Sequence, residues 1–289
     1  MSLIDLTIVG RERDLGSFAV QRILPYAQRR MVGPFIFLDH MGPTEFAAGE
    51  GMDVRPHPHI GLATVTYLFA GEMIHRDTLG SHQAIKPGDV NWMTAGRGIA
   101  HSERTGVEER ARRHCVHGLQ SWVALPKEYE ECAPEFFHHP SDSLPAFDVK
   151  GAKLKLISGK AYGHEAPVKT YSPLFYAEAK LKQGGTLKLS AEYAERALCL
   201  ISGAVRIGDT TIQPGTMPVF ARGDTITIEA QVPSHLMLLG GEPFPEARFI
   251  DWNFVSSSKE RLEQAKADWK AGRFAKIPGD DKEFIPLPE

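Results

Sequence analysis

The sequence predicts an all-β protein with two β-barrels in tandem and a short C-terminal helix. Short runs of β-branched, aromatic and other apolar residues are separated by Gly, Pro and Asp, which is typical of sandwiches and barrels. Segments 66–96 and 198–224 share one order of apolar strand, Gly, strand, turn, strand, Pro-Gly and strand. At 289 residues, the chain is long enough for two such cores.

The predicted elements divide the chain into three parts. We expect residues 1–134 to form an N-terminal metal-binding barrel and residues 135–250 a C-terminal barrel. The polar, Pro-rich stretch PEFFHHPSDSLPAFD would link them. Residues 251–289 should contain the helix and a tail.

The helix is predicted from its capping signals and its apolar face. Ser257 and Glu260 are spaced as a capping box, and Gly272 is placed to end the helix. The residues expected on one face are Leu262, Ala265 and Trp269. We expect this helix to pack on a barrel and to have no catalytic role.

Composition argues against several functional classes. The formal net charge of -3 gives no basic field that would favour direct nucleic-acid binding. The N-terminus does not resemble a signal peptide, and no window approaches the ~20 apolar residues of a membrane span. The three cysteines are widely spaced and form no CxxC motif, which fits a reducing compartment. We therefore expect a cytoplasmic protein.

The stretch HPHIGLATVTYLFAG contains two histidines one residue apart. Because side chains alternate faces along a strand, His57 and His59 should point the same way. The stretch TAGRGIAHSER places His101 and Glu103 two apart in the same manner. Two same-face pairs on nearby strands of one barrel can converge, so together they predict a metal site much more specifically than either pair alone.

Three imidazoles and one carboxylate are a borderline donor set. They suit Fe(II), Mn, Ni, Co or Cu(II) better than Mg or Ca, and Zn is a further alternative. Structural zinc sites usually include sulfur ligands, and no cysteine lies in this pattern. An octahedral metal with four protein ligands would keep two positions open for a substrate oxygen or O2.

Three blocks of the sequence resemble the signature blocks of the pirin family within the cupin superfamily. They are HPHIGLATVTYLFAGEMIHRDTLGS, IKPGDVNWMTAGRGIAHSE and HGLQSWVALP. The resemblance is dense from Arg55 to Pro126 and looser elsewhere. It implies two cupin-type (jelly-roll) barrels, the first binding one metal, usually Fe(II), through three His and one Glu. By position, the implied ligands are His57, His59, His101 and Glu103.

The resemblance also implies that the C-terminal barrel is degenerate and binds no metal; that half contains no HxH motif. It suggests a dioxygenase that cleaves a flavonol such as quercetin with O2 and releases CO, with Glu103 remaining a ligand or shuttling a proton. The alternative is a metal-dependent, redox-responsive regulator that acts on a protein partner. A metal hydrolase is a third reading, but the sequence offers no obvious separate general base.

Two positions depart from the usual family pattern. Ile60 stands where an Arg is usual, and Ala63 stands where a Glu is usual. Counting alternation from His59 predicts that Ala63 faces inward with the histidines. The departures therefore bear on the substrate more than on the metal.

Other polar pairs are weaker candidates. His75 and Asp77 share a strand face and could orient a ligand histidine, although we expect them at the surface. His114 and His117 should lie on opposite faces of a strand as ordinary residues. The remaining pairs are Asp39-His40, which could line a cavity mouth, and His138-His139, expected to be solvated in the linker.

Overall fold

The computed structural model describes residues 2–16 and 18–288, and it confirms an all-β protein with a short C-terminal helix. The chain divides into two compact units. The C-terminal unit contains residues up to Glu12, Gln21–Leu38 and Asp142–Phe244. The N-terminal unit contains Arg13–Val20, Asp39–Ser141 and the residues from Pro245 onward.

The described residues form 25 strands, four short helical segments or helices, and their connecting turns. The first twelve strands are β1 Ile4–Val9, β2 Arg11–Asp14, β3 Ala19–Leu24, β4 Phe35–Phe46, β5 Asp53–His59, β6 Leu62–Ala70, β7 Met73–Asp77, β8 His82–Ile85, β9 Val90–Thr94, β10 Ile99–Arg104, β11 His114–Ala124 and β12 Glu135–His139.

The remaining strands are β13 Ala146–Val149, β14 Ala152–Ala161, β15 His164–Glu165, β16 Leu174–Leu181, β17 Thr186–Leu189, β18 Glu195–Ser202, β19 Val205–Ile207, β20 Thr210–Ile212, β21 Thr216–Phe220, β22 Ile226–Ala230, β23 Ser234–Gly241, β24 Phe249–Asp251 and β25 Phe254–Ser256. The helices are α1 Val107–Arg110 and α2 Lys259–Lys270, and two 3₁₀ turns span Lys127–Tyr129 and Ser141–Ser143.

Each unit contains a large sheet and a four-stranded sheet. The large sheet that belongs mainly to the N-terminal unit has the order β12-β9-β6-β11-β4-β3-β2, and the small sheet of that unit has the order β5-β10-β7-β8. In the C-terminal unit the large sheet has the order β1-β21-β18-β23-β16-β14-β13, with β15 beside β14, and the small sheet has the order β17-β22-β19-β20. The two small sheets therefore repeat one strand order, as the similarity of the two halves predicts.

The interior of the C-terminal unit is filled by aliphatic and aromatic side chains from both of its sheets. Leu187 and Leu189 of β17 and Ile226 and Ile228 of β22 pack in this core, as does Phe175 of β16. Alternation along short strands buries every second residue, so apolar residues at these positions are sufficient to hold the two sheets together.

Two segments differ from the prediction. Strand β1 pairs antiparallel with β21 and so lies in the large sheet of the C-terminal unit, a long-range pairing that local patterns do not reveal. The expected polar link contains strand β12, which pairs with β9 along its whole length. The domain divisions at 134 and 250 otherwise stay a prediction.

Helix α2 has the predicted buried face but a different cap. Ser258, not Ser257, precedes the first turn, and its Oγ accepts a hydrogen bond from the Arg261 amide at 3.2 Å. The Ser257 amide donates instead to Glu130. Leu262 and Ala265 are buried, and the helix ends two residues before Gly272. None of the helices in the described range is long and apolar enough to span a bilayer.

Candidate metal centre

The small sheet of the N-terminal unit brings the two predicted pairs together. Strands β5 and β10 are antiparallel, and His101 lies directly opposite His57. The ring centroids of His57 and His101 are 4.4 Å apart, and those of His59 and His101 are 5.1 Å apart. One ring nitrogen from each of these three buried histidines lies within 4.8 Å of the others.

Each of the three imidazoles has its Nδ1 atom held by another group. Nδ1 of His57 is 2.8 Å from the Arg55 carbonyl oxygen, and Nδ1 of His59 is 3.0 Å from the Asn253 carbonyl oxygen. Since carbonyl oxygens only accept, these contacts place the proton on Nδ1 and leave Nε2 with a lone pair. Among the described residues, Nε2 of His59 and of His101 has no hydrogen-bond partner although both atoms are buried.

Burial keeps these histidines neutral. Loss of solvation lowers the pKa of His57 to about 4, although its hydrogen bond to the Arg55 carbonyl acts in the opposite direction. Burial likewise places the pKa values of His59 and His101 well below the usual range, and their histidine neighbours lower them further. Metal ligation requires the neutral form, so the site is ready to bind at neutral pH.

Glu103 lies beside the histidines and is itself buried. Its Oε1 accepts a hydrogen bond from the Thr66 hydroxyl at 2.8 Å, and its Oε2 is 3.4 Å from Nε2 of Gln120. Burial raises the pKa of this carboxyl, while the two hydrogen bonds oppose that rise. Glu103 also forms a second group of close potential ligand atoms with His75 and His101.

The donor set fits a first-row divalent metal. Buried Nε2 atoms without partners are costly unless something binds them, and neutral imidazoles with a carboxylate are ligands for such metals. Because Nδ1 of each of these three histidines already has a partner, the rings are oriented in the way that metal-binding histidines usually are. The chain thus contains a His/Glu cluster suited to a metal ion.

The corresponding positions of the C-terminal unit are apolar. Its strands β17 and β22 pair as β5 and β10 do, with Leu187 opposite Ile228 and Leu189 opposite Ile226. The hairpins β7–β8 and β19–β20 align the two small sheets, because Ile85 and Ile212 pair with the first residues of β7 and β19 and each lies two residues before a Pro-Gly pair. The strand pairings then place Leu189 at the position of His57, and Ile226 and Ile228 at those of His101 and Glu103. That this unit binds no metal stays a prediction, now with these substitutions as its reason.

Comparison with known proteins identifies the family. The Pirin family model matches residues 17–123, and the Pirin C-terminal cupin domain model matches residues 176–275. A pirin-like protein of Caulobacter vibrioides is 54% identical over 292 residues, covering 99% of this chain and all of that protein. The chain belongs to the pirin family.

Two further relatives bear on activity. A Pseudomonas aeruginosa protein, whose name proposes quercetin 2,3-dioxygenase activity, is 40% identical and covers 91% of this chain and 82% of its own length. The crystal structure of quercetin 2,3-dioxygenase from Acinetobacter baumannii superposes with a TM-score of 0.91 at 33% identity, covering 98% of this chain and 95% of that one. The chain therefore has the two-cupin fold that the pirin resemblance implies.

The pirin departure at Ala63 does not lie where alternation from His59 places it. Strand β6 pairs with β11 without a break from Leu62 to Leu68, so its side chains alternate regularly. Thr66 contacts Glu103, and Ala63 therefore lies on the opposite face of β6. The prediction was wrong because Gly61, with φ of +67°, separates β5 from β6 and breaks the count.

The second pirin departure, Ile60, lies in the core beneath the C-terminal helix. Ile60 forms a bridge with Phe254 and packs with Phe254, Leu262 and Ala265. Position 60 thus contributes to apolar packing in this chain. The hairpin formed by β24 and β25, which contains Phe254, also supplies the Asn253 carbonyl that contacts His59. The sequence pattern contains no sign of this partner.

The expectation that His75 and Asp77 lie at the surface is wrong. His75 is 2% exposed and Asp77 is fully buried. Both point to the same side of β7 as Met73, which is also buried. That shared apolar neighbour was the available signal, because alternation groups residues on a face but does not say which face is inside.

The remaining candidates lie apart from the cluster. His40 and His117 meet through their Nε2 atoms at 2.9 Å, while His114 stacks on Phe46 at 5.3 Å. His114 and His117 thus have separate contacts, and that they form no metal site stays a prediction. His138 belongs to strand β12 and contacts Asn91 at 2.8 Å, so the solvated-linker expectation was wrong for it.

Proposed function

We propose that this protein is a metal-dependent dioxygenase that acts on a flavonol such as quercetin, with Fe(II) as its metal. The proposed ligands are His57, His59, His101 and Glu103. The observation that supports this most directly is the set of buried imidazoles whose Nδ1 atoms are occupied and whose Nε2 atoms, at His59 and His101, have no described partner. The relatives named for quercetin 2,3-dioxygenase support the same reaction.

When bound, a first-row metal would supply a Lewis acid for a substrate oxygen and a redox centre for reaction with O2. The chain supplies the acid–base group. The buried Glu103 carboxylate holds a proton more tightly than an exposed one, so it can accept the proton of an enol-type hydroxyl. The Thr66 hydroxyl donates to Oε1 at 2.8 Å, whereas Oε2 accepts only the longer 3.4 Å contact from Gln120, so Oε2 is the proton-accepting atom.

The side chains around the cluster orient the imidazole rings and exclude water from them. Trp122 contacts the His59 ring edge-on, with ring centroids 5.0 Å apart. On the same face of β6 as Thr66, Leu68 belongs to an apolar cluster with Met41, Met52 and Met73. An apolar wall beside a few polar groups is the usual lining of a site for a flat aromatic ligand.

The proposal is tested by metal analysis of anaerobically purified protein, followed by O2 uptake with a panel of flavonols. We expect one metal equivalent per chain and flavonol-dependent O2 consumption with release of CO. The His57→Ala/His101→Ala double variant should lose both. The matched control is His82→Ala, because His82 is an exposed histidine of the same sheet.

The same experiment separates the enzyme from a regulator. The regulatory alternative expects bound metal, no O2 uptake with any flavonol, and a protein partner whose affinity changes with the metal's oxidation state. A metal content of one equivalent in the double variant would contradict the ligand assignment for either function. We further propose a reducing, cytoplasmic location, which is consistent with three cysteines that form no disulfide.

A further inference from the structure

We propose that His75 and Asp77 are positioning residues that fix the tautomer of His101, so that its Nε2 atom remains unprotonated and able to bind metal. The inference rests on the proposed metal site, because it explains how one of its ligands is prepared. It assigns a role to two buried polar residues that the proposed reaction does not otherwise use.

The three side chains form a chain of contacts inside the N-terminal unit. Oδ2 of Asp77 is 2.9 Å from Nε2 of His75, and Nδ1 of His75 is 3.4 Å from Nδ1 of His101. The strands fix this arrangement, because β7 and β10 are antiparallel with Asp77 opposite His101 and His75 opposite Glu103. The His75 ring is also stacked on Phe136, with centroids 4.3 Å apart and planes at 9°.

The donor and acceptor in each of these contacts can be assigned in turn, beginning at Asp77. An ionised carboxylate only accepts, so Nε2 of His75 must donate to Asp77. In a neutral imidazole, Nδ1 of His75 is then an acceptor, and the proton between the two rings must come from Nδ1 of His101. This leaves Nε2 of His101 with its lone pair, and that buried atom has no partner among the described residues.

His101 would then match the other two histidines. His57 and His59 donate from Nδ1 to backbone carbonyl oxygens, which cannot reverse their role. His101 instead faces another imidazole, which can either donate or accept. An imidazole acceptor specifies a tautomer only if its own tautomer is fixed, and the buried Asp77 carboxylate fixes it. Asp77 is in turn held by the amides of Leu79 and Ser81, which donate to its Oδ1.

The C-terminal unit supplies an internal comparison. The hairpins β7–β8 and β19–β20 align the two copies, because Met73 pairs with Ile85, Val205 pairs with Ile212, and each isoleucine lies two residues before a Pro-Gly pair. Counting from Val205 then makes Ile207 the counterpart of His75, and Asp209, just beyond the end of β19, the counterpart of Asp77. The counterparts of His75 and of the four proposed ligands are therefore apolar in the second copy, whereas that of Asp77 is again an aspartate. Replacement of His75 together with the proposed ligands is expected if His75 serves the metal site rather than the fold.

The Asp77→Asn variant tests the inference because it should reverse the chain of hydrogen bonds. The asparagine carbonyl would keep the two amide bonds that Oδ1 now accepts, which turns the NH2 group toward Nε2 of His75. His75 would then accept at Nε2 and donate from Nδ1. His101 would accept at Nδ1 and carry its proton on Nε2, the form that cannot bind metal.

The primary measurement is long-range 1H–15N NMR of metal-free protein labelled with 15N-histidine. We expect His101 as the Nδ1–H tautomer in the wild type and as the Nε2–H tautomer in Asp77→Asn. In a chelator competition with Zn(II) as the probe, the variant should bind about 10- to 100-fold more weakly. The matched control is Asp89→Asn, since Asp89 also accepts from two backbone amides and lies near a histidine, His138.

A wild-type His101 in the Nε2–H form, or a doubly protonated His75, would overturn the inference even if Asp77→Asn failed to fold. A folded Asp77→Asn variant with an unchanged tautomer and a Zn(II) affinity within twofold of wild type would also overturn it. Failure of the wild type to bind Zn(II) would contradict the proposed metal site. The tautomer measured without metal would still decide the present inference on its own.

Discussion

Replacing His57 by leucine should make the metal-free N-terminal unit less sensitive to acid. His57 is 7% exposed, and its pKa of about 4 lies below the value near 6.5 expected for an unfolded chain. As the pH falls from about 6.5 to about 4, the unfolded chain binds a proton at His57 and the folded chain does not. The contribution that neutral His57 makes to the free energy of unfolding is therefore fully present above pH 6.5 and is lost as the pH falls across that window.

The size of the effect follows from the same values. At pH 5 the unfolded-state pKa is about 1.5 units above the pH, and each unit is worth about 1.4 kcal/mol, so His57 alone should cost about 2 kcal/mol. His57 also helps to lower the pKa values of His59 and His101, so its removal should reduce their share of the drop as well. The drop in unfolding free energy between pH 7 and pH 5 should thus be at least about 2 kcal/mol smaller in His57→Leu than in the wild type.

Urea unfolding of chelator-treated protein, followed by tryptophan fluorescence, measures this drop. The four tryptophans are all in the N-terminal unit, so their emission reports on the unit that contains the cluster: Trp92, Trp122, Trp252 and Trp269. The exposed His82→Leu change is the control and should leave the drop unaltered. Equal drops in the wild type and His57→Leu, within about 0.5 kcal/mol, would show that the buried cluster does not resist protonation.

Two further predictions concern the segment after the HxH motif. Ala63→Glu should leave the metal content of the folded protein unchanged, because Ala63 lies on the face of β6 opposite Thr66, which contacts Glu103. The same change should destabilise the chain by several kcal/mol, since it would place a carboxyl at a fully buried position. Metal analysis and urea unfolding check both parts, and a large gain in metal affinity would contradict the strand geometry. Gly61→Ala should lower the urea midpoint strongly, because φ is +67° and a Cβ atom would lie 2.0 Å from the Val255 carbonyl oxygen; an unchanged midpoint would argue against that close approach.

The candidate ligand residues could be predicted from the sequence because each pair lies within one regular strand. His57 and His59 are both in β5, and His101 and Glu103 are both in β10, so alternation alone places each pair on one face. Ala63 could not be placed in this way, because a glycine with a left-handed backbone intervenes and the count of faces restarts. The alternation of side chains tells which residues share a face within one strand, but it cannot be counted across such a break.

Other features depend on contacts that are distant in sequence. The partners of Nδ1 are the neighbouring Arg55 carbonyl for His57 but the Asn253 carbonyl for His59, and only the folded chain brings the latter close. Likewise, β1 pairs with β21, and no local pattern encodes that pairing. The placement of His75 inside the unit required knowing which face of β7 is covered, and its neighbour Met73 was the only local sign.

The C-terminal unit has apolar residues at the positions of the candidate ligands, so the two units differ in whether a metal ion can stabilise them. The C-terminal unit keeps its core with Leu189 and Ile226, whereas the N-terminal unit encloses the Nε2 atoms of His59 and His101, which have no hydrogen-bond partner among the described residues. A ligand that binds only the folded state stabilises it by about 2.7 kcal/mol at one hundred times its Kd. Scarcity of metal would then shorten the lifetime of the protein against proteases through its N-terminal half, so abundance itself would follow the metal supply.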